Sequence, residues 1–393
     1  MNNRFILVGL GATLGLSLAS LSSQAQDYKK IHAEAIVADT HNDVLINVME
    51  GLNLNDDLRG KTHSDLARFK EGGVDVQVFS VWSDETGSFK YAMQQIDSLE
   101  AIVKRNPDKM VLVTNYKEVM QAVKQGKMAA MIGVEGGHMI ENDLKKLEQM
   151  RKRGAIYLTL TWNNSTPWAT SAMAETSGKL NEADKGLSDL GKQIVRRMNK
   201  LGMLVDLSHV GEKTFWDVMA ITKKPVLVSH SDVYALNPVF RNLKDEQIKA
   251  VAKNGGVIQL NFFSDFLDPN FRKRINDFQR AHKSESDSLE TTGWTKEKVM
   301  DYMAEAYPAE VEQIRPPLSV LIDHIDYIVK LVGVDYVGLG SDFDGITSAP
   351  QQLDGVDTFP LITKELVARG YSESDIKKIL GGNFLRVLKA NAS

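Results

Sequence analysis

The sequence predicts an α/β fold: a (β/α)8 TIM barrel with a mainly helical insertion before the last strand. Three observations carry that expectation. Eight short apolar or β-branched runs alternate with segments of helical periodicity, the pattern of parallel strands joined by crossover helices. The rhythm breaks once, over about 268–315, where the chain turns polar, charged and helix-forming. His, Asp and Glu residues recur just where the apolar runs stop, and in a barrel all such strand ends face one mouth. An open doubly wound sheet is the alternative, but no Gly-rich phosphate turn follows the first strand to favour it.

The chain starts with Arg4, an apolar run over 5–18 and the small residues Ser23-Gln24-Ala25. This reads as a secretory signal peptide, 1–25, cleaved after Ala25. The run is short for a membrane span and no second one follows, so 26–393 is expected as a single exported domain, periplasmic or secreted, without stable membrane insertion. The chain has no Cys, which excludes disulfides, thiolate ligands and a Cys nucleophile. A formal charge of −4 argues against a nucleic-acid partner or an anionic membrane surface.

In order, an apolar run at 35–38 leads into Asp39-Thr40-His41-Asn42-Asp43 as the first strand. A helix at 64–71 ends at Gly72-Gly73, and 74–82 alternates as the second strand. Helices follow at 90–104 and 116–124, with a small strand at 111–113 between them. The third strand, 129–134, stops at Glu135-Gly136-Gly137-His138. A helix at 144–153 precedes the fourth strand, 155–161, which ends at Trp162-Asn163-Asn164. The helix at 187–201 leads to the fifth strand, 203–207, ending at Ser208-His209. The helix at 213–221 leads to the sixth, 225–228, ending at Ser229-His230-Ser231. A helix at 245–252 and the seventh strand, 257–262, come before the insertion, which holds a loop around 284–293. A helix at 319–332 leads to the eighth strand, 336–340, ending at Ser341-Asp342-Phe343-Asp344-Gly345. Helices at 359–368 and 374–388 close the chain.

Residues two apart on a strand share a face, so His41 and Asp43 aim an imidazole and a carboxylate at one point. That pair suits a zinc-type cation, although His, Asn and Asp also populate ordinary turns. Glu135, His209, His230 and Asp342 stand at four further strand ends, and this convergence favours a metal centre. Three imidazoles and two carboxylates exceed what one open four-coordinate zinc needs. A carboxylate shared by two cations would hold them about 3.5–4 Å apart around a water that loses its proton near neutral pH. Glu135, alone on its strand, is the best bridge, with Gly136 and Gly137 leaving room for close approach.

The stretches His41-Asn42-Asp43, Gly133-Val134-Glu135-Gly136-Gly137-His138, Asp206-Leu207-Ser208-His209, Ser229-His230-Ser231 and Ser341-Asp342-Phe343-Asp344-Gly345 resemble those of the membrane (renal) dipeptidases. These are zinc-dependent peptidases of the metal-dependent amidohydrolase superfamily on a (β/α)8 barrel, and the resemblance runs from about Val37 to the end. It implies two Zn2+ ions per subunit, one held by His41, Asp43 and Glu135, the other by Glu135, His209 and His230. It implies Asp342 as the acid/base serving the leaving amine and Arg241 as the grip on the substrate carboxylate. A guanidinium suits that task because it binds carboxylate in a bidentate fork. The implied activity is hydrolysis of dipeptides by a metal-bridging hydroxide, in an exported enzyme for which a homodimer is a possible assembly. The competing readings are an amidohydrolase acting on a lactam or N-acyl amino acid, and a metal-retaining binding protein without catalysis.

Two positions depart from the family's pattern. Its mammalian members carry His, which polarises the substrate carbonyl, where this chain has Trp162. Trp162 offers one indole N–H and no charge, so Asn163, Asn164 or a zinc ion alone would take over. Trp162 is expected to narrow the substrate pocket. Phe263 stands where Tyr is common. Among the other histidines, His138 is placed either behind Glu135, orienting it, or in a loop hydrogen bond. His32 is expected to be exposed, His63 to cap or lie at the surface, His282 to face solvent and His324 to be buried and hydrogen-bonded.

Overall fold

The structure is a computed structural model that describes residues 27–392, side chains at 296, 297, 300 and 301 excepted; the expected signal peptide lies outside the described residues. The strands are β1 (Val37–Asn42), β2 (Val74–Trp82), β3 (Met110–Leu112), β4 (Met128–Glu135), β5 (Ala155–Thr159), β6 (Leu204–Asp206), β7 (Leu227–Val228), β8 (Val257–Leu260) and β9 (Val337–Leu339). All pairings between them are parallel, in the order β1-β2-β4-β5-β6-β7-β8-β9, with β3 beside the start of β4. A bridge between Asn42 and Phe343 brings the chain after β9 back to β1, so the eight-stranded ring nearly closes as the expected barrel. Closure is by backbone: Asp342 N donates to His41 O (3.0 Å) and Asp43 N to Phe343 O (2.9 Å).

The interior follows strand alternation. Ala38, Val76, Val78, Ala129, Met131, Tyr157, Leu204, Leu227 and Val257 form one buried cluster, joined by Phe384, Leu385 and Leu388 of the last helix, Asn383–Asn391. The barrel is filled by side chains, as parallel barrels are. The opposite strand faces, with Phe79, Val81, Ile132 and Val134, pack against the helical layer.

Several strands are shorter than their apolar runs suggest, for one physical reason. Beyond Asp206 and Val228, side chains replace the ladder: Asp206 Oδ1 accepts from Ser208 N (3.2 Å) and Ser229 N (2.8 Å), and Ser208 Oγ accepts from His230 N (3.0 Å). Asp39 Oδ1 does the same for Ser341 N (2.8 Å) after β9. Buried backbone donors are thus satisfied while the chain leaves sheet geometry at the mouth.

The expected last helix is broken into Glu373–Lys377, a π-turn at Lys378–Gly382 and Asn383–Asn391. A Cβ on Gly381 would lie 2.2 Å from Ile36 O, so glycine permits the turn to press on the start of β1. Helices Ser264–Leu267, Phe271–Ala281, Lys283–Thr291, Lys296–Ala306 and Pro308–Ile314 occupy the stretch before the last strand. Phe271–Ala281, Lys296–Ala306 and Pro308–Ile314 share a small core of Phe271, Phe278, Val299, Met303 and Ile314. The loop expected at 284–293 is largely helix, supported by the i,i+4 pair Lys283–Asp287 (2.6 Å).

Two histidines differ from expectation. His32 is buried, its Nδ1 2.7 Å from Thr363 Oγ1 and its Nε2 donating to Gly72 O (2.9 Å). His282 packs on Tyr307 (ring centroids 3.9 Å apart) with Nε2 on Glu310 (2.9 Å), leaving its side chain 14% exposed. Both are tied by partners distant in sequence, which local polarity does not reveal. His324 is buried as expected: Nδ1 accepts from Val233 N (3.1 Å) and Nε2 donates to Leu267 O (3.0 Å).

Candidate metal centre

Glu135, the last residue of β4, sits between two sets of donors. Its Oε2 lies 3.2 Å from His41 Nε2, which is 3.4 Å from Asp43 Oδ2 and 3.8 Å from Asp342 Oδ1. Its Oε1 lies 2.7 Å from His209 Nε2 and 3.4 Å from His230 Nε2, those two nitrogens being 3.0 Å apart. Ligand atoms of His41, Glu135 and His230 fall within 4.8 Å of one another, as do those of His41, Asp43 and Asp342. The carboxylate therefore presents one oxygen to each group.

The surrounding hydrogen bonds orient the imidazoles. Tyr157 OH donates to Thr40 O (3.1 Å), so its oxygen accepts from His41 Nδ1 (2.9 Å). Ser229 Oγ donates to Asp206 Oδ2 (2.6 Å) and accepts from His230 Nδ1 (2.8 Å). Asn163 Oδ1 accepts from His209 Nδ1 (3.2 Å). With each Nδ1 turned to an acceptor, all three Nε2 atoms point at Glu135, the ring orientation a metal ligand needs. Buried His41 Nε2 and Asp43 Oδ1 have no hydrogen-bond partner. Buried polar atoms without partners are costly, and cations would relieve that cost. The donor set therefore fits a metal centre.

Burial pushes His209 down to about 4, with Arg241 adding, and pushes His230 well below its ordinary value, with His41 adding. Burial thus disfavours the charged form of both imidazoles. Glu135 lies well below the carboxylate range because His41 and His209 outweigh its burial. Asp342 is pushed well above that range by burial, with His41 opposing and Asp43 and Glu135 adding. Its Oδ2 accepts from Asn261 Nδ2 (2.7 Å).

The backbone is strained at this mouth. His209 (φ 64°), Asp342 (φ 60°) and Asp344 (φ 67°) are all left-handed, a region non-glycine residues avoid. His63 and Asp344 exchange two hydrogen bonds (2.7 and 3.0 Å), and His63 stacks on Phe343, fixing the loop that carries Asp342. Gly345 is required by contact, since its Cβ would lie 2.1 Å from Asp43 Oδ2. Gly136 and Gly137, next to Glu135, are also crowded positions. Cβ atoms there would strike His138 (2.4 Å) and the Leu160 carbonyl (2.3 Å), so the glycines make room for protein groups.

The centre opens into a cavity of about 1170 Å3 lined by Asp43, Glu135, His209, Asp342, Arg241, Trp162 and Asn163 among others. Arg241 is buried, donating to Ser231 Oγ (3.3 Å) and His230 O (3.4 Å), with its guanidinium 5.3 Å from the Phe266 ring centre. Among the described residues no carboxylate pairs with it, and its Nε has no partner; Asp342 and Glu135 act on it only from a distance. Trp162 meets Trp82 edge-to-face, 5.2 Å between ring centres. Asn164 does not reach the cavity wall. His138 lies outside it too, its Nε2 3.4 Å from Ser83 Oγ and its Nδ1 without a partner, so it reaches Glu135 by no direct hydrogen bond.

Sequence reading missed Tyr157, Asp206, Ser229 and Asn261. Asp206 and Ser229 lie inside the motifs and carried a signal as polar residues closing apolar runs. Tyr157 carried none, because an aromatic residue in a strand reads as core.

Fold and site together define a (β/α)8 barrel with a cluster of imidazole and carboxylate donors at its strand ends. Comparison with known proteins takes this further. The chain belongs to the membrane dipeptidase family, peptidase family M19, whose model matches residues 25–393. It is similar to a protein of Schizosaccharomyces pombe described as an uncharacterised dipeptidase, 32% identical over 386 residues that cover 93% of this chain and 82% of the relative. The probable dipeptidase PvdM of Pseudomonas aeruginosa superposes with a TM-score of 0.79 at 26% identity, covering 94% of this chain and 98% of that one. A metallopeptidase of Rhodobacter sphaeroides, solved with a phosphinate mimic of the dipeptide L-Ala-D-Ala, shares the fold with a TM-score of 0.74 at 22% identity. That match covers 91% of this chain and 100% of the other.

Proposed function

We propose that this chain is an exported dipeptidase working with two zinc ions, one held by His41, Asp43 and Glu135 and the other by Glu135, His209 and His230. The observation that carries the substrate class is Arg241: a buried guanidinium with no carboxylate partner among the described residues, in the same cavity as the donor cluster. A buried unpaired charge is expensive, and a substrate carboxylate would neutralise it in bidentate fashion. When bound, the two cations supply Lewis-acid polarisation of the scissile carbonyl and a water activated near neutral pH.

The chain's own residues do the rest. Arg241 anchors the terminal carboxylate one residue from the cut, which restricts the substrate to short peptides. Asp342, oriented by Asn261, delivers a proton to the departing amine nitrogen. Tyr157, Ser229 and Asn163 hold the three imidazoles in one orientation. Family membership supports this reading, and the relative bound to a dipeptide mimic supports a small peptide as ligand. An intact Asp342 argues against a binding protein without catalysis, which would need no acid. Export rests on the character of residues 1–25; among the described residues no helix is long and apolar enough to cross a membrane.

The test is an assay of Gly-, Ala- and Leu-containing dipeptides, with L and D C-terminal residues, beside N-acetyl amino acids and a lactam, each with and without chelator. Chelator-sensitive hydrolysis confined to dipeptides is the expected result. Hydrolysis of the N-acyl or lactam compounds alone, or of nothing, overturns the reading.

A further inference from the structure

The barrel order gives the substrate a direction. Arg241 follows β7 and Asp342 follows β9, the sixth and eighth strands of the ring. Trp82 ends β2, the second strand, and Trp162 stands just after β5, the fourth. Positions two and six of an eight-stranded ring lie across the mouth from each other. Carboxylate and departing nitrogen both belong to the C-terminal residue of a dipeptide, and Arg241 and Asp342 place that residue over β7 to β9. The N-terminal residue must then extend to the opposite side, past Glu135, toward the ends of β2 and β5.

We infer that Trp82 and Trp162, with Ile46 beside them, form the wall that receives the side chain of the N-terminal residue and selects large apolar ones. This rests on the dipeptidase reading above. All three residues line the cavity. The two indoles meet at 73° with centres 5.2 Å apart, an edge-to-face pair that presents apolar surface to the mouth. The wall is pinned from behind. Buried Gln95 accepts from Trp82 N (3.2 Å) and donates to Trp82 O (2.6 Å), fixing the strand end that carries the first indole. Trp162 is chained to the metal centre through its neighbour Asn163, which holds His209. A rigid apolar wall loses little entropy on binding and rewards each buried methylene of the ligand. A Gly or Ala side chain leaves it largely uncovered.

The test compares kcat/KM over two dipeptide panels, X-Ala and Ala-X, with X as Gly, Ala, Leu and Phe, for the wild type, W82L and W162A. Metal content and melting temperature are measured alongside. The wild type should favour Leu-Ala and Phe-Ala over Gly-Ala by about tenfold or more. Either variant should lose most of that ratio while the ranking within the Ala-X panel holds. Unchanged X-Ala ratios in both metal-replete, folded variants overturn the inference, and so does a shift confined to the Ala-X panel. Absence of turnover in the wild type overturns the dipeptidase reading instead. The wall is then judged by calorimetry in D342N, which removes the acid and leaves the wall in place. There the X-Ala affinities should rank in the same order and flatten in D342N/W162A; an unflattened order refutes the wall.

Discussion

Arg241 is a buried charge with which, among the described residues, no carboxylate pairs directly. Its two side-chain hydrogen bonds go to a hydroxyl and a carbonyl, and the Phe266 ring covers one side. Arg241→Met should therefore raise KM far more than it lowers kcat, with kcat/KM for dipeptides falling about 100-fold, the cost of truncating a buried charge pair. Dipeptide C-terminal amides should be poor substrates for the wild type and no worse for the variant; equal loss on both would show that Arg241 serves the fold. Asp342 makes the complementary case. Asp342→Asn keeps the hydrogen bond from Asn261 in reach but removes the acidic proton. It should lower kcat by about 10²–10⁴-fold with little change in KM, and metal analysis should still find the wild-type content. Loss of a metal ion in that variant would make Asp342 a ligand, as its 3.8 Å approach to His41 Nε2 allows.

Among the elements, the segment between β7 and the helix Ser264–Leu267 hangs on His324 of the helix Ser319–Val332. Its Nδ1 must stay unprotonated to accept from Val233 N. Burial pushes its pKa down to about 4, with the Leu267 carbonyl opposing. The unfolded chain takes up a proton near the ordinary value of 6.5, so the folded state binds fewer protons between those two values. Stability from this group is complete above pH 6.5 and falls as pH drops toward 4, by roughly 3 kcal/mol in all. Urea titrations at pH 7 and pH 5 should show wild type losing more stability on acidification than His324→Gln, which has no proton to gain. Parallel losses in the two proteins would remove His324 as the cause. The same scale shows what local pattern could not foresee. Helices Tyr116–Lys124, Ser319–Val332 and Phe359–Ala368 match their periodicity residue for residue, because an amphipathic face is written locally. The ends of β6 and β9 do not, because carboxylates take over the backbone donors there, Asp206 that of Ser208 and Asp39 that of Ser341.

At the scale of the whole molecule, the barrel gathers four other strand ends around the carboxylate of Glu135, at the cost of buried polar atoms without partners. Ligands that bind only the folded state stabilise it by mass action. Dialysis against a chelator should lower the melting temperature by several degrees, and added Zn2+ should restore it. His41→Ala/Asp43→Ala should show a smaller response, bind one ion fewer and retain its circular dichroism. A doubly metallated, active double variant would dismantle the two-ion assignment.

Alternation of apolar runs with helical periodicity determined the barrel, and the polar residues at the ends of those runs determined the donor set. Both are local properties: side-chain direction repeats every two residues in a strand and every 3.6 in a helix, whatever the rest of the chain does. Tertiary structure decided everything that depends on ring closure and register. It placed Tyr157 on His41, 116 residues away, and Ser229 between Asp206 and His230. It left Asn164 and His138 off the cavity wall and set Trp82 against Trp162 across from Arg241. Apart from Ser229 and its neighbour His230, these contacts join residues far apart in sequence, so no short pattern contains them; they exist because strands distant in the chain lie side by side and the mouth becomes a ring.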